Sequence, residues 1–455
     1  MQPRPGPTAS ATAPPDPAPV DILSADLVLP VSAPPIRDGA VAIEDGRIVG
    51  VGPTADVGTG RRFEGAAILP GLVNAHSHLE YAVYAGFGDG LSFKPWIETH
   101  VERKRRISFD DHLAISRLGA AECLASGIAT VGDASFTGAA ALACADLGLR
   151  GIVYLEVFGE TAEAGLARFR QLERRAGPAA SERVRIGVSP HAPYTCTAEV
   201  YAACDALGLP TATHLNESLA ELEWLISGAG PFAGARELLV PPAGSSGIRM
   251  LAERSLLGPR LVAAHCVEVD QEEIRLLATA GVAVCHCPRS NAFLGCGIAP
   301  VGELIEAGVR VGLGTDSPAS APSFDMFEEM RAAVALARLR SRTPEAMPAG
   351  RALELATLGS AAALGLADEI GSLEPGKRAD LTVVDLEGSP FLPWEEPASA
   401  VVLGGSPGRV VTTLVGGEVR YERGASRWHE LQQRGHDARS KLLRPSLPSR
   451  SATRR

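Results

Sequence analysis

Eight short apolar runs, rich in Val, Ile and Ala, recur along the middle of this chain with helical patterns between them. They are 66–76 (AAILPGLVNAH), 127–134 (GIATVGDA), 151–157 (GIVYLEV), 185–191 (RIGVSPH), 210–215 (PTATHL), 261–266 (LVAAHC), 281–288 (GVAVCHCP) and 310–316 (RVGLGTD). Each has the length of a strand and lacks polar alternation, as expected of a parallel strand covered on both faces. The stretches between them, such as DHLAISRLGAAECLA and DQEEIRLLATA, carry the period of a helix. An open doubly wound sheet has the same alternation, but eight units favour closure. The predicted fold is α/β, a (β/α)8 TIM-type barrel.

The flanks read differently. Residues 21–65 look like short strands with an Asp45-Gly46 hairpin turn, and a second β-rich patch returns over 380–422 as ADLTVVDL, AVVLGG and RVVTTLVGGEVRYE. The two patches are expected to pair into one small composite β-sandwich. The predicted organisation is a disordered leader (1–20), a first β-sandwich segment (21–65), the barrel (66–365), a second β-sandwich segment (366–430) and a basic flexible tail (431–455). From Leu431 onward seven Lys or Arg stand against the single acid Asp437, so the rest of the chain carries about −16 against a net −10. An acidic body argues against nucleic acid as a partner. No apolar run reaches the ~20 residues needed to cross a bilayer. The Pro- and Ala-rich start lacks the apolar core of a signal peptide, and eight scattered cysteines show no disulfide spacing. A reduced, cytoplasmic protein is expected.

The chemistry gathers at one end of the runs. Six of ten histidines, His76, His78, His191, His214, His265 and His286, stand at or just past their C-terminal ends, and Asp316 ends the eighth. Barrel active sites form on that face. Residues two apart in a strand share a face, so His76 and His78 can grip one metal ion. With His214 and Asp316 they supply three nitrogens and a carboxylate, a set suited to one Zn²⁺ or Fe²⁺ with a position left for water. Bound metal lowers the pKa of that water from about 15.7 towards 7. Glu217, three residues after His214, suits proton transfer between water and substrate. It can equally sit in the first turn of the next helix, where an acid is favoured by the dipole. His265 ends the sixth run and is expected to orient the water or polarise the transition state.

The motifs LPGLVNAHSHLE, SPHAPYT, HLNE, AHC, CPRSN and GLGTDSPAS, closed by LEPGKRADLTVVDL and VVTTLVGGEVRY, resemble the amidohydrolase superfamily in its cytosine deaminase, S-adenosylhomocysteine deaminase and triazine hydrolase branch. The resemblance runs from about residue 21 to 424. It implies His76, His78, His214 and Asp316 as metal ligands, Glu217 as proton shuttle, Asp316 as acceptor of the water's proton and His265 beside the water. Two-metal relatives bridge their ions with a lysine from a middle strand. The four lysines here, Lys94, Lys104, Lys377 and Lys441, end no barrel strand, so a single metal is expected.

LSFKPWI (91–97) resembles the segment after strand one in S-adenosylhomocysteine deaminases, but the stretch that follows is basic, Arg103-Lys104-Arg105-Arg106. His78-Leu79-Glu80 and Cys287-Pro288-Arg289-Ser290-Asn291 are more similar to the aminodeoxyfutalosine deaminases of menaquinone synthesis. Their substrate is an adenine nucleoside bearing a benzoate. Arg289 is the first candidate for that carboxylate, because a guanidinium pairs with carboxylates in a fork. The 103–106 cluster is the second, beside its reading as a solvated helix face. Glu80 is expected to hold ribose hydroxyls or a ligand histidine, and His191 to face purine or sugar. Trp96 is read as a cover of the pocket or an anchor of its loop, Ser317 as orienting the ring, and His286 as pointing outwards. The expected activity is hydrolytic deamination of 6-amino-6-deoxyfutalosine. The alternatives are deaminases of S-adenosylhomocysteine, methylthioadenosine, adenosine or guanine, a triazine chlorohydrolase, and a silent scaffold. Such barrels often pair, so a homodimer is carried as an expectation.

Overall fold

The computed structural model describes residues 20–393, 395–425 and 428–444. The predicted leader lies outside them apart from Val20, as does the tail from 445 onward. Among the described residues all eight cysteines are free, and no helix is long and apolar enough to cross a membrane.

The first β segment contains β1 (Asp21–Val28), β2 (Ile36–Glu44), β3 (Arg47–Pro53) and β4 (Arg61–Pro70). The barrel then supplies β5 (Leu72–Ser77), β6 (Ile128–Ser135), β7 (Arg150–Val157), β8 (Val184–Pro190), β9 (Thr211–Leu215), β10 (Leu261–His265), β11 (Ala283–His286) and β12 (Arg310–Leu313). The second β segment returns with β13 (Leu381–Asp385), β14 (Val410–Val415) and β15 (Glu418–Glu422).

Strands β5 to β12 form one parallel sheet in sequence order. The sheet closes where the end of the eighth strand meets the first: Ser77 bridges Asp316, and Asp316 N–H donates to the His76 carbonyl at 3.0 Å. Asn74 locks the seam, donating to Thr315 Oγ1 at 2.7 Å and accepting from Thr315 N–H at 2.9 Å. Gly314 permits the approach, since a Cβ there would lie 2.8 Å from the His76 backbone nitrogen and oxygen. The predicted helices form with caps read from local chemistry. Ser108 and Asp111 make a capping box for Phe109–Ala125, and Asp270 and Glu273 make one for Gln271–Ala280.

The chain ends form one mixed seven-stranded sheet in the order β15-β14-β13-β4-β1-β2-β3. It folds back over its own core. Val41 and Ile48 from one edge pack in the same cluster as Val383 and Leu414 from the other side. Gly46 touches the opposite turn so closely that a Cβ would sit 2.6 Å from the Gly416 carbonyl.

Three expectations are corrected. The run 66–76 is not one strand. It passes from one sheet to the other at Gly71, whose N–H donates to Asp380 O at 2.9 Å. The boundary therefore falls at 70–71 rather than 65–66, and no polar turn marks it because both halves are buried. The AVVLGG segment is helical, Pro397–Gly404, with Pro397 in the first turn and the Glu396 carboxylate accepting from Ala398 N–H. The start of the predicted flexible tail is a helix, His429–Leu442, docked on Phe109–Ala125. Ala438 and Leu442 are buried there, Lys441 pairs with Asp111, and the Arg439 guanidinium donates to the Val83 and Ala85 carbonyls. Two of its cations, Arg439 and Lys441, are thus engaged by the body of the chain, while Arg434 pairs with Glu430 of the same helix.

Candidate metal centre at the C-terminal face of the barrel

His76 and His78 stand at the end of β5, their ring centroids 4.9 Å apart. His214, the fourth residue of β9, lies 4.9 Å from His76 and 5.4 Å from His78, ring to ring. Asp316, just past β12, places Oδ1 3.5 Å from His76 Nε2 and 3.3 Å from His78 Nε2. His265 joins the group: one ligand atom from each of His76, His214, His265 and Asp316 fits within 4.8 Å of every other.

The surrounding hydrogen bonds determine which nitrogen of each ring faces inward. His78 Nδ1 meets the Ala134 carbonyl at 3.0 Å, and His214 Nδ1 meets the His191 carbonyl at 2.9 Å. A carbonyl only accepts, so both Nδ1 atoms carry the proton and both Nε2 atoms present lone pairs. These two Nε2 atoms face each other at 3.3 Å, an arrangement that demands a positive charge at that point. His76 Nε2 and His265 Nε2 are buried without a hydrogen-bond partner. On the carboxylate side, Ser290 and Ser320 hydroxyls donate to Asp316 Oδ2 at 2.7 and 2.6 Å, leaving Oδ1 for the centre. The donor set therefore fits a divalent cation.

The electrostatics set a proton in competition with a cation for the His78 Nε2 lone pair. Burial pulls the His76 imidazole down to about 3 and holds His214 below its ordinary value. Burial acts against charge on His78 as well, but Asp316 outweighs it and pushes His78 up to about 9. Burial likewise works against the Asp316 charge, yet the imidazoles of His76 and His78 keep its carboxyl well below the usual range.

The backbone here is strained. Of nine non-glycine residues with positive φ among the described residues, four lie at this centre: Asn216 (+50°), His265 (+73°), Cys266 (+44°) and Asp316 (+54°). Such conformations cost on the order of 1–3 kcal/mol each and gather at functional sites. Glu221 holds one of them, accepting from the Asn216 and Glu217 N–H groups at 3.0 and 2.7 Å. Glu217 precedes Ser218, the N-cap of the helix Leu219–Ser227, so the first-turn acid is Glu221 and Glu217 is free of that role. The Glu217 side chain is partly exposed, with Oε1 3.8 Å from His265 Nε2. His265 is oriented by Asn291, whose Oδ1 lies 2.9 Å from its Nδ1.

The substrate candidates divide. His191 adjoins the centre, 4.8 Å from His214 ring to ring, with Nδ1 2.8 Å from Thr195 Oγ1. Glu80 does not face the pocket as a free acid. Its buried carboxylate accepts from Ser135 Oγ, Thr137 N–H and Thr137 Oγ1, tying down the loop after β6. Trp96 packs edge-on against His100 at 4.4 Å, beside Gly88, and so anchors its own loop. Ser317 touches Ser320 at 3.3 Å, and Ser320 is the hydroxyl that reaches Asp316. His286 is buried with Nδ1 unpartnered.

Arg289 is a correction. Its guanidinium forks onto Glu329 Oε1 at 2.5 Å and Glu328 Oε2 at 2.7 Å, and caps the Ser323 carbonyl at 2.6 Å. A carboxylate was expected, but the chain itself supplies it. Arg289→Ala strands the wholly buried Glu329. It is expected to destabilise the fold by about 3–5 kcal/mol, read as a lower urea midpoint with no specific rise in KM. A raised KM at an unchanged midpoint would return Arg289 to the pocket.

Sequence reasoning missed Glu156 at the end of β7. It is buried, with a carboxylate oxygen within 4.8 Å of ligand-capable nitrogens of both His191 and His214. Its only sequence signal was its place at a strand end. Asn291, Ser290, Ser320 and Glu221 were also missed as supports.

The chain is 35% identical to a 5-methylthioadenosine/S-adenosylhomocysteine deaminase of Symbiobacterium thermophilum, over 93% of this chain and 99% of that relative. It is 34% identical to a 5'-deoxyadenosine deaminase of Methanothermobacter thermautotrophicus, over 84% and 89%. Its fold matches the crystal structure of an adenosine deaminase from Xanthomonas campestris with bound zinc, with TM-score 0.80, 30% identity and coverage of 94% and 99%. Residues 67–420 match the amidohydrolase family model. On that match, and on the closed parallel barrel beneath it, the chain belongs to the amidohydrolase family.

Proposed function

We propose that this protein is a metal-dependent hydrolytic deaminase of adenine nucleosides, replacing the 6-amino group by oxygen with release of ammonia. The observation that carries the reading is the convergence of His76, His78, His214 and Asp316, with Glu217 and His265 on one side of them. The deaminase names of relatives at 34–36% identity support the substrate class.

His76, His78, His214 and Asp316 would hold the ion, with His265 close enough to share it. Zinc is supported by the Xanthomonas structure, and the donor set suits ferrous iron as well. When bound, the ion lowers the pKa of a water towards neutrality. Glu217 then moves protons, delivering one to purine N1 as oxygen adds at C6 and one to the departing amine. His265 Nε2, anchored through Asn291, polarises the oxygen side of the same centre. Glu156 takes the place expected of Glu80, presenting an acceptor to sugar hydroxyls beside His191.

Within this class, 6-amino-6-deoxyfutalosine is the substrate put forward from the sequence motifs. Its benzoate then needs a cation other than Arg289. Methylthioadenosine, S-adenosylhomocysteine and 5'-deoxyadenosine form a second reading, favoured by the relatives above. Incubating the zinc- or iron-loaded protein with each pure nucleoside is expected to shift the adenine absorbance to that of hypoxanthine and to release ammonia stoichiometrically. No shift with any adenine nucleoside, in either metal form, defeats the proposal.

A further inference from the structure

The backbone ladder between β5 and β6 stops short of His78. Its register pairs Asn74 with Val131 and then Ser77 with Asp133, so three steps along β5 face two along β6 and the strand bulges where His76 stands. Gly132 permits the close approach there, since a Cβ on it would lie 2.5 Å from the Ala75 carbonyl oxygen. β5 ends at Ser77, His78 leaves the sheet with φ −135° and ψ 87°, and a single helical turn, Leu79–Tyr81, follows. Main-chain pairing therefore does not fix the second histidine of the pair.

Side-chain chemistry takes over from the ladder. Asp133 Oδ2 accepts the Ser77 hydroxyl at 2.9 Å and the Leu79 N–H at 2.7 Å, one bond on each side of His78. Leu79 is wholly buried and its N–H opens a helical turn, so that donor requires a partner, and Asp133 is the one it has. The next residue of β6, Ala134, supplies the carbonyl that takes His78 Nδ1. Asp133 is itself wholly buried, and its other oxygen, Oδ1, has no hydrogen-bond partner. A buried carboxylate with an idle oxygen costs stability. What the residue supplies in return is a grip on both flanks of a metal ligand.

We propose that Asp133 is a positioning residue for the metal centre: by accepting from Ser77 and Leu79 it fixes where Nε2 of His78 points. The inference rests on the metal-centre reading above and deepens it. Asp133 acts through His78 and touches neither ion nor substrate. Its role is acceptance at one oxygen, so an amide oxygen in the same place serves it and a methyl group does not.

The test measures zinc affinity of the full chain by chelator competition, the visible spectrum of the cobalt-loaded protein, and the thermal midpoint of the metal-free protein. Asp133→Ala is expected to weaken zinc affinity by about 10–100-fold and to alter the cobalt bands, which report the ligand geometry. Asp133→Asn keeps an acceptor oxygen and is expected to return both close to the wild type. Ser77→Ala removes one of the two bonds and leaves the carboxylate in place, and is expected to give a smaller loss in the same direction. A lower metal-free midpoint for Asp133→Ala with unchanged affinity and cobalt bands shows a merely structural role and overturns the proposal. So does an Asp133→Asn variant as impaired in metal binding as Asp133→Ala. Should Asp133→Ala not fold, Ser77→Ala decides, and unchanged affinity and bands in it overturn the proposal. A wild type that takes up neither zinc nor cobalt defeats the metal-centre reading, and the role of Asp133 with it, a result distinct from variants that bind metal as the wild type does.

Discussion

Glu217→Gln is expected to lower kcat by about 10²–10⁴-fold, the usual contribution of a positioned general acid–base group, while metal content and thermal midpoint stay near those of the wild type. The substitution keeps the shape of the side chain and removes only its capacity to carry a proton. The supports of Glu217 are backbone ones, since its N–H donates to Glu221 and the residue precedes the helix cap Ser218. The side chain is therefore not part of the loop's framework. Its Oε1 stands 3.8 Å from His265 Nε2, within reach of a substrate group at the metal centre. Steady-state kinetics with metal analysis on the same preparation check this. A variant that keeps full turnover, or loses its metal, removes Glu217 from the proton path.

Asp316→Ala is expected to empty the centre, with metal content falling from about one ion per chain to near zero and turnover becoming undetectable. Asp316 Oδ1 is the atom common to His76 and His78, at 3.5 and 3.3 Å. Without it three imidazole lone pairs converge with no negative charge to balance a dication. A graded version follows from the other oxygen. Ser290→Ala and Ser320→Ala remove the two hydroxyls that donate to Oδ2, and are expected to weaken metal affinity by about 10–100-fold without unfolding the barrel. Chelator titration followed by zinc or iron reconstitution reads both effects. Stoichiometric metal retained by Asp316→Ala would show that another residue, with His265 the nearest, completes the coordination.

The histidines and Asp316 were legible because barrel strands impose a register. In apolar runs buried on both faces, His76, His214, His265 and Asp316 stand out at or just past the ends in the bare sequence. Proximity among them then follows from closure. The fates of Glu80 and Arg289 were not legible, since each finds partners through folding. Ser135 and Thr137 stand 55 and 57 residues from Glu80, and Glu329 stands 40 residues from Arg289. A motif reports which side chain is present, and competition among nearby donors and acceptors decides what it binds. The helix His429–Leu442 eluded the reading for a related reason. Its surface is mostly polar, and only a few residues, Gly435, Ala438 and Leu442 among them, are buried against the barrel.

The chain's own pattern determined the architecture: eight apolar strands alternating with helices, a β unit shared between the two ends, and titratable residues at one end of the strands. Periodicity carries that information because burial repeats with the geometry of each element. Tertiary structure alone decided the tautomers of His78 and His214, the pairing that occupies Arg289 and Glu80, and the arrival of Glu156 beside His191 and His214. Those outcomes depend on distances of a few ångströms between residues far apart in sequence, and hydrogen bonds and ion pairs are selective on that scale.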